Sequence, residues 1–137
     1  MSAWLFKTEP DEYSFQSLQK EGKATWNGVR NNAALKNLRA IKKGDTVFIY
    51  HTGGEKQIVG LAKVTAAAYP DPKEKDEKLV VVDLAPLKPV NQPVTLQQLK
   101  EDARFKAFDL VRISRLSVMP VPAELEKILL KLAGLDS

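Results

Sequence analysis

The chain has 137 residues, 44% hydrophobic and 28% charged, with a formal net charge of +4. That length buries a real core and the composition is ordinary for globular proteins, so wholesale disorder is excluded and one domain over residues 1–137 is expected. With no cysteine and a single histidine, His51, the chain cannot build disulfides, thiolate metal sites, poly-histidine sites or the His-Cys-Cys zinc site of base deaminases.

The chain opens MSAWLFKTEP, with no long apolar run behind a basic start, so no secretory signal is expected. No window approaches the roughly 20 apolar residues of a membrane span. A soluble, cytoplasmic protein with no membrane contact is the expectation. Residues 4–7 alternate weakly and predict a first strand, and residues 9–12 a turn. Ser14 reads as the N-cap of a short helix that turns Phe15 and Leu18 inward. Residues 24–26 predict a second strand. Asn31 or Asn32 caps a helix to about Ala40, with Ala34, Leu35 and Leu38 inward and Lys36 and Arg39 outward.

The β-branched and aromatic run TVFIYH at 46–51 predicts a strong strand. A glycine loop leads to a long strand over 57–67, with Gly60 a candidate bulge, and these two runs form the expected hairpin. Residues 69–76 are polar and proline-punctuated, hence an exposed loop. The nearly continuous apolar run 79–87 predicts a covered strand. Thr95 with Gln98 fits a capping box that opens a helix to about Lys100. Residues 102–108 read as a helical or irregular turn and 115–121 as a last strand. Pro122 starts a terminal helix with Leu125, Ile128, Leu129 and Leu132 on one side, and Gly134 closes it. Strands interleaved with short helices around a central hairpin give an α+β fold. A small mixed β-barrel with flanking short helices is the expected architecture.

Two readings fit the segment Trp26-Asn27-Gly28-Val29-Arg30-Asn31-Asn32. It is a strand end, a turn and a capped helix with Trp26 in the core, the commoner arrangement. It also holds what a pocket for a flat polar ring needs: an aromatic plane, a glycine for close approach, a planar cation and three amides. Tyr50 and Tyr69 are further amphipathic aromatics near turns. In a regular strand Tyr50 and His51 face opposite sides. His51, the single histidine, is the one side chain of the type suited to proton transfer near neutral pH and could serve a small hydrolase or nucleotide-processing enzyme as general base. Yet no nucleophile motif or phosphate-cradling loop accompanies it, so no catalytic residue is assigned. A strand-end histidine with a backbone partner is the plainer reading. A protein-interaction module is the third alternative, and it would use an exposed apolar patch. The mildly basic balance permits nucleic-acid binding. Lys36, Arg39, Lys42 and Lys43 follow the Trp26 segment, Lys20 and Lys23 precede it, and Arg112 and Arg115 form a second basic group.

Several stretches, in order over nearly the whole chain, resemble the EVE-domain family. They are WLFKTEPDEYS at 4–14, WNGVRN at 26–31, LRAIKKGDTVFIYHT at 38–52, IVGLAKV at 58–64, AYPDP at 68–72, PVTLQQLK at 93–100 and RLSVMPV at 115–121. The resemblance implies a PUA-like fold, a small β-barrel with flanking helices. It further implies a non-catalytic reader of DNA or RNA, without cofactor or metal, as a monomer or weak dimer, that takes a modified base flipped into an aromatic and apolar pocket. A methyl group in such a pocket is worth on the order of 1 kcal/mol, so discrimination stays within about tenfold unless hydrogen bonds add to it.

Carried over by position, the resemblance makes Trp26 a cage wall and Val29 an apolar wall. Arg30 and Asn31, with Asn32 beside them, fix the loop or meet phosphate and base edges. Tyr50, His51 and Thr52 line the pocket mouth, and Ser117 and Val118 face the same space. Lys36, Arg39 and Arg112 form the basic rim. The chain departs from the family pattern after Asn31, where an aromatic and a Gln are usual and Asn32-Ala33-Ala34-Leu35 stands instead. It departs again at Lys78-Leu79-Val80, where a Trp is usual. Both departures imply a shallower or more apolar pocket.

Overall fold

The computed structural model describes residues 2–135. Six strands and five α-helices alternate: β1 (Ala3–Thr8), α1 (Phe15–Glu21), β2 (Ala24–Trp26), α2 (Asn32–Ala40), β3 (Thr46–His51), β4 (Gln57–Pro70), β5 (Val80–Thr95), α3 (Leu96–Lys100), α4 (Asp109–Arg112), β6 (Val118–Val121) and α5 (Ala123–Leu132). The capping chemistry acts where the sequence places it. Ser14 accepts from the Ser17 N–H, Asn31 (not Asn32) accepts from Ala34, and Thr95 with Gln98 closes a full capping box. A single 3-10 turn, Ala103–Phe105, fills the segment read as helical or irregular. The short helix α4 had no periodic signal to reveal it.

β5 runs well past the expected end at residue 87, through Pro89 and Pro93. β2 pairs only with Val82 to Leu84 of β5, so beyond Leu84 one side of β5 has no strand neighbour. A missing N–H costs little on an open side, which is why the prolines are tolerated.

The expected β-barrel does not form. The sheet order is β2-β5-β4-β3-β1-β6, and no ladder joins its two end strands, β2 and β6. β2 is three residues long, and α2 follows after one loop and covers part of the gap. There the Asn37 side-chain amide donates to the Val118 carbonyl at 2.7 Å. The sheet still curls strongly, for Trp26 on β2 meets Phe6 on β1 with ring centroids 5.4 Å apart. The α+β class stands; the closed barrel is replaced by a curled, open mixed sheet with flanking helices.

β3 is central, parallel to β1 and antiparallel to β4, and Val47 through His51 are all buried. The β3–β4 register slips where Ile49 pairs with Gly60 and Tyr50 with Ile58. At that bulge the Phe15 ring lies so close to Gly60 that a Cβ there would sit 2.3 Å from it. Only glycine fits, and α1 is thereby clamped onto the sheet. Asp45 is buried and accepts from Trp4 Nε1 at 2.9 Å, the Lys42 N–H at 3.0 Å and the Ser2 N–H at 3.1 Å. Burial pushes its carboxyl up, but these donors together outweigh burial and hold it below the usual carboxylate range. Among the described residues no helix is long and apolar enough to cross a membrane.

Candidate functional site

A cleft of about 770 Å³ opens where the sheet fails to close. Its walls come from both ends of the sheet. β1 supplies Lys7 and Thr8, Ser117 lies just before β6, and β2 supplies Ala24, Thr25 and Trp26. The 27–30 loop forms one lip. Glu9, Glu12 and Tyr13 from the turn before α1, with Glu21 and Lys23 at its far end, complete the lining. The volume falls within the roughly 300–1,000 Å³ of small-ligand sites.

Trp26 serves core and cleft together. It is 9% exposed, with Phe6 packed on it and the Tyr13 ring set nearly perpendicular at 6.0 Å. Gly28 has φ +79° and open space on the side where a Cβ would stand, so the loop turns tightly without narrowing the cleft. Val29 and Arg30 line the lip. The Arg30 guanidinium also pairs with Glu74 at 3.0 Å, with both side chains exposed.

Of the other expected site residues, Ser117 alone lines the cleft. Asn31 is engaged as the α2 cap, and Asn32 is exposed on the first turn of that helix. Tyr50 is 3% exposed, with the Lys7 ammonium 5.9 Å from its ring centroid, and does not line the cleft. His51 is 1% exposed: its Nε2 accepts from the Phe15 N–H at 3.0 Å, and its Nδ1 lies 3.0 Å from Glu55 Oε1. With Nε2 accepting, the ring proton sits on Nδ1 and is donated to Glu55, which leaves no nitrogen for general-base work. Thr52 donates its hydroxyl to Glu9 at 3.1 Å. Ser117 lines the cleft, while Val118 is buried beneath α2. Of the expected rim, Arg39 donates to the Lys78 carbonyl at 2.8 Å and Arg112 pairs with Asp109 at 3.0 Å. Lys36 is exposed on α2, and none of these three lines the cleft.

Tyr13, Glu21 and Lys7 were missed, whereas Lys23, read as a basic residue just before the Trp26 segment, does line the cleft. Tyr13, Lys7, Thr8, Glu9 and Glu12 all fall in the WLFKTEPDEYS stretch, so that run carried the signal, but it reads as a strand and an exposed turn. The Tyr13 hydroxyl donates to Glu21 Oε1 at 2.5 Å. Burial first, then the Glu21 carboxylate, pushes the Tyr13 phenol well up, so it stays a neutral donor. Burial holds the Lys7 ammonium below the usual lysine range; it donates to the Ser114 carbonyl at 2.8 Å. Three cations, Lys7, Lys23 and Arg30, thus face three carboxylates, Glu9, Glu12 and Glu21, around one aromatic wall.

The EVE domain family matches residues 2–132. The chain belongs to the EVE-domain family. This EVE domain is 32% identical to mouse (Mus musculus) thymocyte nuclear protein 1 over 155 residues, covering 88% of this chain and 69% of the relative. It superposes on an NMR structure of a Rhodopseudomonas palustris protein with a TM-score of 0.94 at 40% identity, over 100% of this chain and 96% of that one. It also matches human THYN1, solved in complex with DNA containing 5-methylcytosine, with a TM-score of 0.89 at 28% identity over 97% and 98% of the two chains. The relatives' nuclear name overturns the expectation of a cytoplasmic protein. The sequence features behind that expectation do not separate nucleus from cytoplasm.

Proposed function

We propose that this EVE domain is a non-catalytic reader of nucleic acid that receives a modified base, 5-methylcytosine in DNA foremost, in the cleft beside Trp26. The observation that carries the proposal is the match, over 97% of this chain, to the human relative solved on 5-methylcytosine DNA. The cleft is consistent with that use. Its one large aromatic wall suits a flat ring, and aromatic stacking on a base is worth roughly 1–3 kcal/mol. Arg30 and Lys23 stand at the lining where a flanking phosphate would pass. Within the proposal, Trp26 and Val29 bound the base, Arg30 meets phosphate, and Ser117 offers a hydroxyl from the opposite wall.

Fluorescence anisotropy tests it with matched duplexes that carry cytosine or 5-methylcytosine at one position. At low salt the methylated duplex binds more tightly, by up to about tenfold, as one buried methyl allows. Affinity for both falls steeply as salt rises, because phosphate contacts release counterions. Equal affinity for the two duplexes at every salt concentration would sink the modified-base reading. No binding at all would sink nucleic-acid recognition.

A further inference from the structure

The cleft holds as many carboxylates as cations, which is unusual for a surface that meets a polyanion. Phosphates are repelled by these carboxylates, so the part of a nucleic acid that meets them is one that is neutral and donates hydrogen bonds. Within a DNA strand, whose internal sugars carry no free hydroxyl, only the base meets both conditions.

The three carboxylates are not equivalent. Glu9 is tied to the Thr52 hydroxyl at 3.1 Å, and the Glu12 carboxylate has no hydrogen-bond partner among the described residues to orient it. Glu21 is fixed. Its Oε1 accepts from the Tyr13 hydroxyl, and the Tyr13 ring meets Trp26 edge-on at an interplanar angle of 79°. The carboxylate is therefore positioned relative to the indole that walls the cleft. Among the described residues no other donor reaches Glu21, so an acceptor with about four lone-pair sites has one in use.

Resting on the reading of the cleft as a base pocket, we infer that Glu21 selects a base with an exocyclic amine over one with a carbonyl at the same place. A carboxylate accepts readily from the 4-amino group of cytosine. The amine projects beyond the ring edge and offers its N–H clear of the neighbouring acceptors. Thymine presents O4 there, and its one N–H is recessed between two carbonyls, so a carboxylate brought against it meets repulsion on both sides. The 5-methyl group is common to 5-methylcytosine and thymine; the amine is what separates them. Glu21 would thus keep a methyl-seeking pocket from filling with thymine.

The test uses the full chain and duplexes with 5-methylcytosine or thymine placed opposite an abasic site, so that neither base is held by a pairing partner. The wild-type protein prefers 5-methylcytosine by about tenfold or more, the range of one good hydrogen-bonded contact to a base edge. Glu21→Gln keeps an acceptor for Tyr13 but presents an amide that can donate to O4, so the preference collapses or reverses. Glu124→Gln, exposed on α5 outside the cleft, leaves it unchanged. Thermal unfolding of each variant confirms that the fold is intact. Binding with no preference in the wild type, or with the same preference in Glu21→Gln, overturns the inference while the base-pocket reading survives. No binding of either duplex removes both.

Discussion

Trp26 ends an edge strand, His51 ends the central one, and a glycine follows each two residues later. The Trp26 segment forms a wall and lip of the cleft. The Tyr50–His51 segment is closed inside the protein. The difference lies in their neighbours. β3 has β1 and β4 on its flanks, so the imidazole finds its partners in Phe15 and Glu55. β2 has β5 alone, and the loop after it runs out over the unclosed gap. Asn27 lines the cleft there and makes no side-chain hydrogen bond among the described residues. Polar groups at the end of a central strand stabilise the fold; those at the end of an edge strand stay free for a ligand.

The largest effect belongs to the residue that does both. Trp26→Ala removes a mostly buried indole from Phe6 and Tyr13 and is expected to cost about 3–5 kcal/mol of stability in urea unfolding, along with oligonucleotide binding. Trp26→Phe keeps an aromatic against the core, unfolds cooperatively and weakens binding alone. If Trp26→Ala proved as stable as the wild type, the indole would not be core and the cleft wall would be misplaced.

His51→Ala comes next and acts in the opposite sense. It leaves the buried Phe15 N–H without an acceptor, a loss of about 1–3 kcal/mol. Affinity of the folded protein for oligonucleotides should be unchanged. A variant that keeps its stability but loses binding would bring His51 back into the site.

Asp45 gives a pH arm to the same contrast. Its folded carboxyl titrates below its unfolded one, which lies near about 3.9. On acidification the unfolded chain takes the proton first. The stabilisation is complete above roughly pH 4–5 and is lost as pH falls through the lower folded value. Asp45→Asn should flatten the acid limb of a thermal-denaturation series while leaving the affinity for oligonucleotides in place. An acid limb unchanged in Asp45→Asn would place the responsible group elsewhere.

Why the elements were legible and the site was not follows from the same geometry. Ser14, Asn31 and Thr95 act through partners three residues away, so local sequence contains their whole argument. TVFIYH at β3 is a strand under almost any tertiary context. The open seam is different. Whether β2 meets β6 depends on residues about a hundred positions apart and on a helix laid between them, and no local pattern reports it. The cleft inherits that difficulty, because Lys7, Trp26 and Ser117 converge only through the curl of the sheet. Tyr13 and Glu21 were hidden for the same reason: a tyrosine after an acidic turn and a glutamate at a helix end look like solvated surface until the indole is placed beside them.

The smallest effect tests the lip of the cleft. Arg30 lines the cleft yet pairs with Glu74 from the 71–79 loop, and the pair is reached by solvent from both sides. Exposed pairs of this kind contribute about 0–1 kcal/mol, so Glu74→Gln should leave stability nearly unchanged. If Arg30 meets a phosphate, Glu74 competes with that phosphate for the guanidinium. Glu74→Gln should then tighten binding at low salt, by no more than about fivefold on that scale. Arg30→Ala should weaken it and reduce the slope of log affinity against log salt by about 0.9, the share of one phosphate on B-DNA. A slope that Arg30→Ala leaves unchanged would mean that the guanidinium anchors the 71–79 loop and no phosphate. The contrast between the two strand ends would then rest on Trp26 and the groups around Tyr13 alone.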